Sequence, residues 1–149
     1  MFSKLILMKY FIFYILFLFS FSAAAENVVN ATRVWPAPDY TRVTIESSSA
    51  IANDQMMLQN PERIVVDLKE IELNDVLRQL SSKVDGLDPN IKKIRVGQFN
   101  PTITRLVIDL KSSASVKIFS LKPVKKYKHR LVIDVYPKEN DSVANLLKQ

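Results

Sequence analysis

The chain has 149 residues, a net charge of +6, no cysteine and a single histidine. Thiol chemistry, disulfides and cysteine-built zinc sites are therefore excluded, and a catalytic zinc, which usually takes three protein ligands, is poorly served. The basic excess is mild and unclustered, which suits an anionic polymer or lipid surface better than nucleic acid.

The first predicted element is a leader. In "MFSKLILMKYFIFYILFLFSFSAAAE", Lys4 and Lys9 supply a positive start, Tyr10 to Phe21 an apolar run, and Ala23-Ala24-Ala25 a small-residue cleavage site before Glu26. The run is shorter than the roughly 20 residues of a spanning helix. Residues 1–25 are thus expected to be a Sec-type signal peptide, with no twin-arginine pair ahead of it. Contact with a membrane is expected only through this segment while it remains uncleaved. Residues 26–137 suit one domain held together by packing alone, and 138–149 a linker-like tail. Removing Lys4 and Lys9 lowers the charge to +4, because no acid leaves with them.

After "VWPAPDY", six stretches read as period-two strands: Thr41 to Glu46, Glu62 to Leu68, Ile91 to Phe99, Thr104 to Leu110, Ser115 to Leu121 and His129 to Tyr136. Pro61, Pro101 and Pro123 punctuate them. Between the second and third, Leu73, Val76, Leu77, Leu80 and Val84 fall at helical spacing. Asn74 or Asp75 can cap the start and Gly86 can close the end, so one amphipathic helix is predicted over Asn74 to Lys83.

The strands repeat. "RVTIE", "RIVVDL", "RLVIDL" and "RLVIDV" each place an arginine, three mostly apolar β-formers and a carboxylate in a row. A longer unit from Thr41 to Leu68 recurs from Thr104 to Val135: Thr-Arg, a Ser-rich turn, an apolar strand, a proline and the closing strand. The predicted fold is mostly β, two pseudo-symmetric antiparallel sheets with the helix between the repeats. Alternation sends Ile64, Val66 and Leu68, and Leu106, Ile108 and Leu110, into a core. It sends Arg63, Val65 and Asp67, and Arg105, Val107 and Asp109, outward, where an antiparallel neighbour of the same pattern sets Arg opposite Asp. Such a face is either a solvated, mutually neutralised surface or a ribbed polar surface that binds a repeating polymer, and periodicity serves both equally.

Catalysis has little to work with. His129 reads as a solvated strand entrance, and Glu46, Asp67, Asp109 and Asp134 each accompany an arginine, which favours the ionised form over the raised pKa of a general acid. Only Gly86 and Gly97 exist, so no phosphate-cradling loop is available. Trp35 and Tyr40 are either a lid on the core or a platform for sugar faces. Lys125, Lys126, Lys128 and Arg130 form either a solvated hairpin tip or a contact for anionic phosphates.

"RVWPAPDYTRVTIES", "ERIVVDL", "LNDVLRQL", "IKKIRVGQFNPTITRLVIDLK" and "FSLKPVKKYKHRLVIDVYP", in this order over residues 31–137, resemble the AMIN domain of bacterial periplasmic N-acetylmuramoyl-L-alanine amidases, in particular the amidase C type; the module also occurs in secretins of type IV pili. The resemblance implies a non-catalytic, periplasmic module that binds peptidoglycan and concentrates its protein at the division septum. It makes Arg63, Asp67, Arg105, Asp109, Arg130, Asp134, Trp35 and Tyr40 the binding candidates. A septal or other envelope protein is the alternative partner, and nucleic acid is not expected. The family's zinc belongs to a catalytic domain that is not expected in this chain, so no cofactor is expected either.

Overall fold

The computed structural model describes residues 26–138. The expected leader, and the expected tail beyond Lys138, lie outside the described residues. Among those described, no helix is long and apolar enough to cross a membrane.

Among the described residues eight strands form, β1 (Val29–Pro36), β2 (Thr41–Ser47), β3 (Asn53–Leu58), β4 (Arg63–Lys69), β5 (Ile91–Asn100), β6 (Ile103–Leu110), β7 (Ala114–Leu121) and β8 (His129–Pro137). They build two antiparallel four-stranded sheets, ordered β1-β2-β8-β7 and β5-β6-β4-β3, the mostly β fold expected. The two halves of the chain do not each own a sheet. Each half contributes one hairpin to each sheet, and the halves meet where β2 pairs with β8 and β4 with β6.

The six strands expected are all present. β3 occupies the place of the apolar strand in the longer repeat, although "NDQMML" buries little of itself. β1 is not among the strands expected; a register shift sits at its start, between Val29 and Ala31, and its pairing is regular from Ala31 to Pro36. Its inward residues Val29 and Thr32 are three apart, both buried.

One core lies between the sheets, with Val43, Ile45, Ile64, Val66, Leu68, Leu106, Ile108, Leu131, Ile133 and Val135 among its members. Each such side chain contributes roughly 1.5–3 kcal/mol by leaving water. The threonines that open the two long repeats point into this interior while the arginines beside them point out. Thr41 Oγ1 donates to Asp88 and accepts from Asn90, and Thr104 Oγ1 donates to the Ile71 carbonyl at 2.7 Å.

The central helical segment fills the predicted span between Asn74 and Lys83. A single α-turn, α1 (Asp75–Arg78), passes directly into a 3-10 turn over Gln79–Ser82. Asn74 caps it as expected, its Oδ1 accepting from the Leu77 amide at 3.0 Å. Ser82 Oγ bonds the Gln79 carbonyl three residues back at 2.8 Å, a local competitor to α-helical bonding. The segment closes at Lys83, whose amide donates to the Leu80 carbonyl, and not at Gly86. Leu77 and Leu80 are buried against the core, and the helical segment packs on β1 and β5. Those are edge strands of the two sheets, so the helix covers one side of the sandwich and leaves β3 and β7 as the edges of the other.

Candidate functional site

The four Arg-to-carboxylate strands are the inner strands of the two sheets, and each sends its polar residues to the face turned away from the core. On β2 and β8, Arg42 stands opposite Asp134 and Glu46 opposite Arg130. On β6 and β4, Arg105 stands opposite Asp67 and Asp109 opposite Arg63. The repeat makes β2 equivalent to β6 and β4 to β8, so the same four positions occur once on each outer face.

One pair of each set is closed. Arg42 donates from Nε and Nη2 to the two oxygens of Asp134, both at 2.7 Å, and Arg105 does the same to Asp67 at 2.7 and 2.8 Å. Two parallel charge-assisted bonds fix the planes of both groups. Hydrogen bonding from Arg105 holds the Asp67 carboxyl below the usual carboxylate range, against the opposing effect of burial. The same pairs raise the affinity of Arg42 and Arg105 for their protons.

The other pair of each set is open. On the β5-β6-β4-β3 sheet, Asp109 is taken by Arg95 of the edge strand at 2.7 and 3.1 Å. Arg63 then has no carboxylate partner among the described residues. On the opposite sheet, among the described residues, Glu46 reaches only Arg33, at 3.7 Å, and both Glu46 Oε2 and Arg130 Nε are buried without a hydrogen-bond partner. The Arg130 guanidinium instead lies 5.0 Å from the Tyr127 ring centroid, and Arg33 approaches the same ring at 5.7 Å. Arg63 and Arg130 occupy equivalent positions on opposite faces, and neither has an acid partner among the described residues.

Of the two alternatives for these faces, mutual neutralisation holds at the closed pairs, while full solvation does not hold at Asp134. Asp134 points outward yet is 1% exposed, because Arg42 and aromatic rings cover it. Arg42 sits 5.2 Å from Tyr40 and 5.8 Å from Phe119, Tyr40 and Tyr136 lie 5.2 Å apart, and the Tyr136 hydroxyl is 3.5 Å from Asp134 Oδ2. Burial, then the negative Asp134, pushes the Tyr136 phenol up. Trp35 is no core lid: it is 56% exposed and meets Tyr40 edge-on at 6.1 Å.

The candidates read from sequence do not converge on one site. Arg63, Asp67, Arg105 and Asp109 share one outer face; Arg130, Asp134, Trp35 and Tyr40 share the other. Sequence reasoning left out Arg42, Arg33, Arg95, Phe99 and Tyr127. Arg42 was legible, since "RVTIE" belongs to the repeat, and Arg95 alternates outward in "KKIRVGQF". Tyr127 is brought in by the β7–β8 turn, which has no periodicity to read. Among the described residues, no three His, Cys, Asp or Glu side chains group closely enough to hold a metal ion.

A family model described as "AMIN domain" matches residues 31–135. N-acetylmuramoyl-L-alanine amidase AmiC of Escherichia coli O6:H1 (strain CFT073) is 47% identical over 116 residues, covering 78% of this chain and 28% of that protein. The AmiC of Neisseria meningitidis serogroup B (strain MC58) is 46% identical over 125 residues, covering 81% of this chain and 30% of that protein. The chain therefore spans less than a third of the length of these relatives.

Proposed function

Because the chain belongs to the AMIN domain family, we propose that it adheres to peptidoglycan through the outer faces of its two sheets and performs no chemistry itself. The observation that carries this reading is the placement of Arg63 and Arg130 at equivalent positions on opposite faces, each without a carboxylate partner among the described residues. A guanidinium left unpaired beside closed ion pairs is a ready donor to carboxylate or amide oxygens. The relatives are named for an amide bond of N-acetylmuramoyl-L-alanine, and a module that holds that polymer would concentrate an amidase on it. In this reading the protein is periplasmic, delivered by the leader over residues 1–25, gathers at the division septum, and needs no cofactor.

Co-sedimentation with protein-free sacculi across a salt series tests the proposal. Retention that persists at high salt is the expected result. Retention that vanishes with salt would reduce the interaction to net charge, and absence of retention at every salt would overturn it.

A second reading has its own observation. β3 is a free edge with Met56 and Met57 51% and 45% exposed, a surface open to strand addition by an envelope protein. Crosslinking at Met56 in intact cells that yields no discrete adduct would count against it.

A further inference from the structure

The two outer faces differ at one equivalent position. On β1, Trp35 lies opposite Arg42; on β5, Gly97 lies opposite Arg105. An indole therefore stands across the strand from one closed ion pair, and a bare backbone across from the other. Over Gly97 opens a shallow hollow of about 270 Å³, bordered by Arg95, Phe99, Arg105 and Val107.

Nothing among the described residues demands glycine here. Gly97 has no positive φ, and a Cβ at this position would meet no atom within 4 Å. The absence of a side chain keeps the space clear. Phe99 stands at the rim, 56% exposed, with the Arg105 guanidinium 3.7 Å from its centroid. That stacking fixes the ring and leaves much of it uncovered, a platform for the C–H face of a sugar. Arg105 and Arg95 each spend Nε and Nη2 on an aspartate. The Nη1 of each has no protein acceptor among the described residues, so two immobilised donors border an otherwise apolar floor.

Resting on the reading that these faces meet the wall polymer, we propose that the Gly97 hollow is a subsite for the N-acetylmuramoyl unit. The pyranose stacks on Phe99, the acetamido methyl lies over Val107, and the lactyl-linked amino acid directs its carbonyl or carboxylate oxygens to Arg95 and Arg105. A neutral N-acetylhexosamine without the lactyl arm lacks the groups that the guanidinium edges take.

The test is titration of the isotope-labelled protein with N-acetylmuramoyl-L-alanine and, separately, with N-acetylglucosamine, followed by amide NMR. Gly97→Trp copies the ring of the opposite face and fills the hollow, and Gly97→Ala leaves it open. Saturable shifts confined to residues 95–99 and 105–107 are expected, at several-fold lower concentration for N-acetylmuramoyl-L-alanine than for N-acetylglucosamine. They should disappear in Gly97→Trp and survive in Gly97→Ala. No saturable shift at these amides, an unchanged titration in Gly97→Trp, or equal affinity for the two sugars would each overturn the subsite. Co-sedimentation of the same proteins with sacculi separates this failure from the larger one. Equal retention of wild type and Gly97→Trp overturns the subsite and leaves wall binding standing, whereas no retention of wild type overturns both.

Discussion

Arg42 and Asp134 face each other across the β2–β8 junction, ninety-two residues apart in sequence, and the guanidinium grips both carboxylate oxygens at 2.7 Å. Asp134 has almost no access to water, so its charge is tolerable only because Arg42 supplies it with donors. Arg42 itself retains about a third of its side-chain exposure, which gives it an escape to solvent if the partner is lost.

Asp134→Ala should therefore lower unfolding stability by about 2 kcal/mol, less than the several kcal/mol that follow when a wholly buried charge is stranded. Asp54→Ala removes a carboxylate that pairs with Lys69 while 70% exposed, and should change stability by less than about 0.5 kcal/mol. Urea denaturation midpoints at constant slope measure both. An equal loss in the two variants would contradict the difference in burial.

Acid should find the Asp67–Arg105 pair. The folded-state carboxyl titrates below its ordinary value, which lies near about 4, so the unfolded chain takes up the proton first. The stabilisation is complete at pH values above the ordinary aspartate range and is lost as the pH falls through the lowered folded value. Asp67→Asn should flatten this part of the stability-against-pH curve, as measured by denaturant unfolding between neutral pH and acid. A curve of unchanged slope would show that other carboxyls dominate.

Asn74 has two duties, accepting from the Leu77 amide and donating from Nδ2 to the Val29 carbonyl at 2.9 Å. Asn74→Ala should cost about 1–2 kcal/mol. Asn74→Asp keeps the cap and loses the donor to β1, so it should fall between the two. Thermal or urea unfolding of the three proteins gives the order.

If the unpaired arginines meet the wall polymer, Arg63→Gln and Arg130→Gln should each weaken retention on sacculi about tenfold, the worth of one charge-assisted hydrogen bond. Their sites lie on opposite faces, so the double variant should lose close to the product of the two effects. Lys92→Gln, exposed and outside either set of paired positions, serves as the control for charge alone. A loss as large at Lys92 would remove the special standing of the two arginines.

Alternation was enough to place the inner strands and to sort Leu106 from Arg105, because both faces of those strands obey one period. It was also enough to anticipate Arg opposite a carboxylate. What it could not decide was which opposed pairs close, since that depends on the edge strands. Arg95 captures Asp109, and Tyr127 draws Arg130 aside, and neither competitor belongs to the repeat. β1 carries little apolar signal, with Asn30, Ala31, Thr32 and Arg33 in its first half and Pro36 at its end, whereas the helical segment lies within the span that apolar spacing marks out, from the Asn74 cap to Lys83.

The junction between the halves of the chain has a further property. Residues 29–69 carry β1 to β4 and residues 91–137 carry β5 to β8, and the sheet pairing between them runs through β2–β8 and β4–β6. At those two seams an arginine of the first half meets an aspartate of the second, and an arginine of the second meets an aspartate of the first. Such a contact is isologous: exchanging the partners leaves it unchanged. Half of this chain, present in two copies, would already hold both sides of the seam, and the domain has the form of a symmetric dimer whose subunits have been joined end to end.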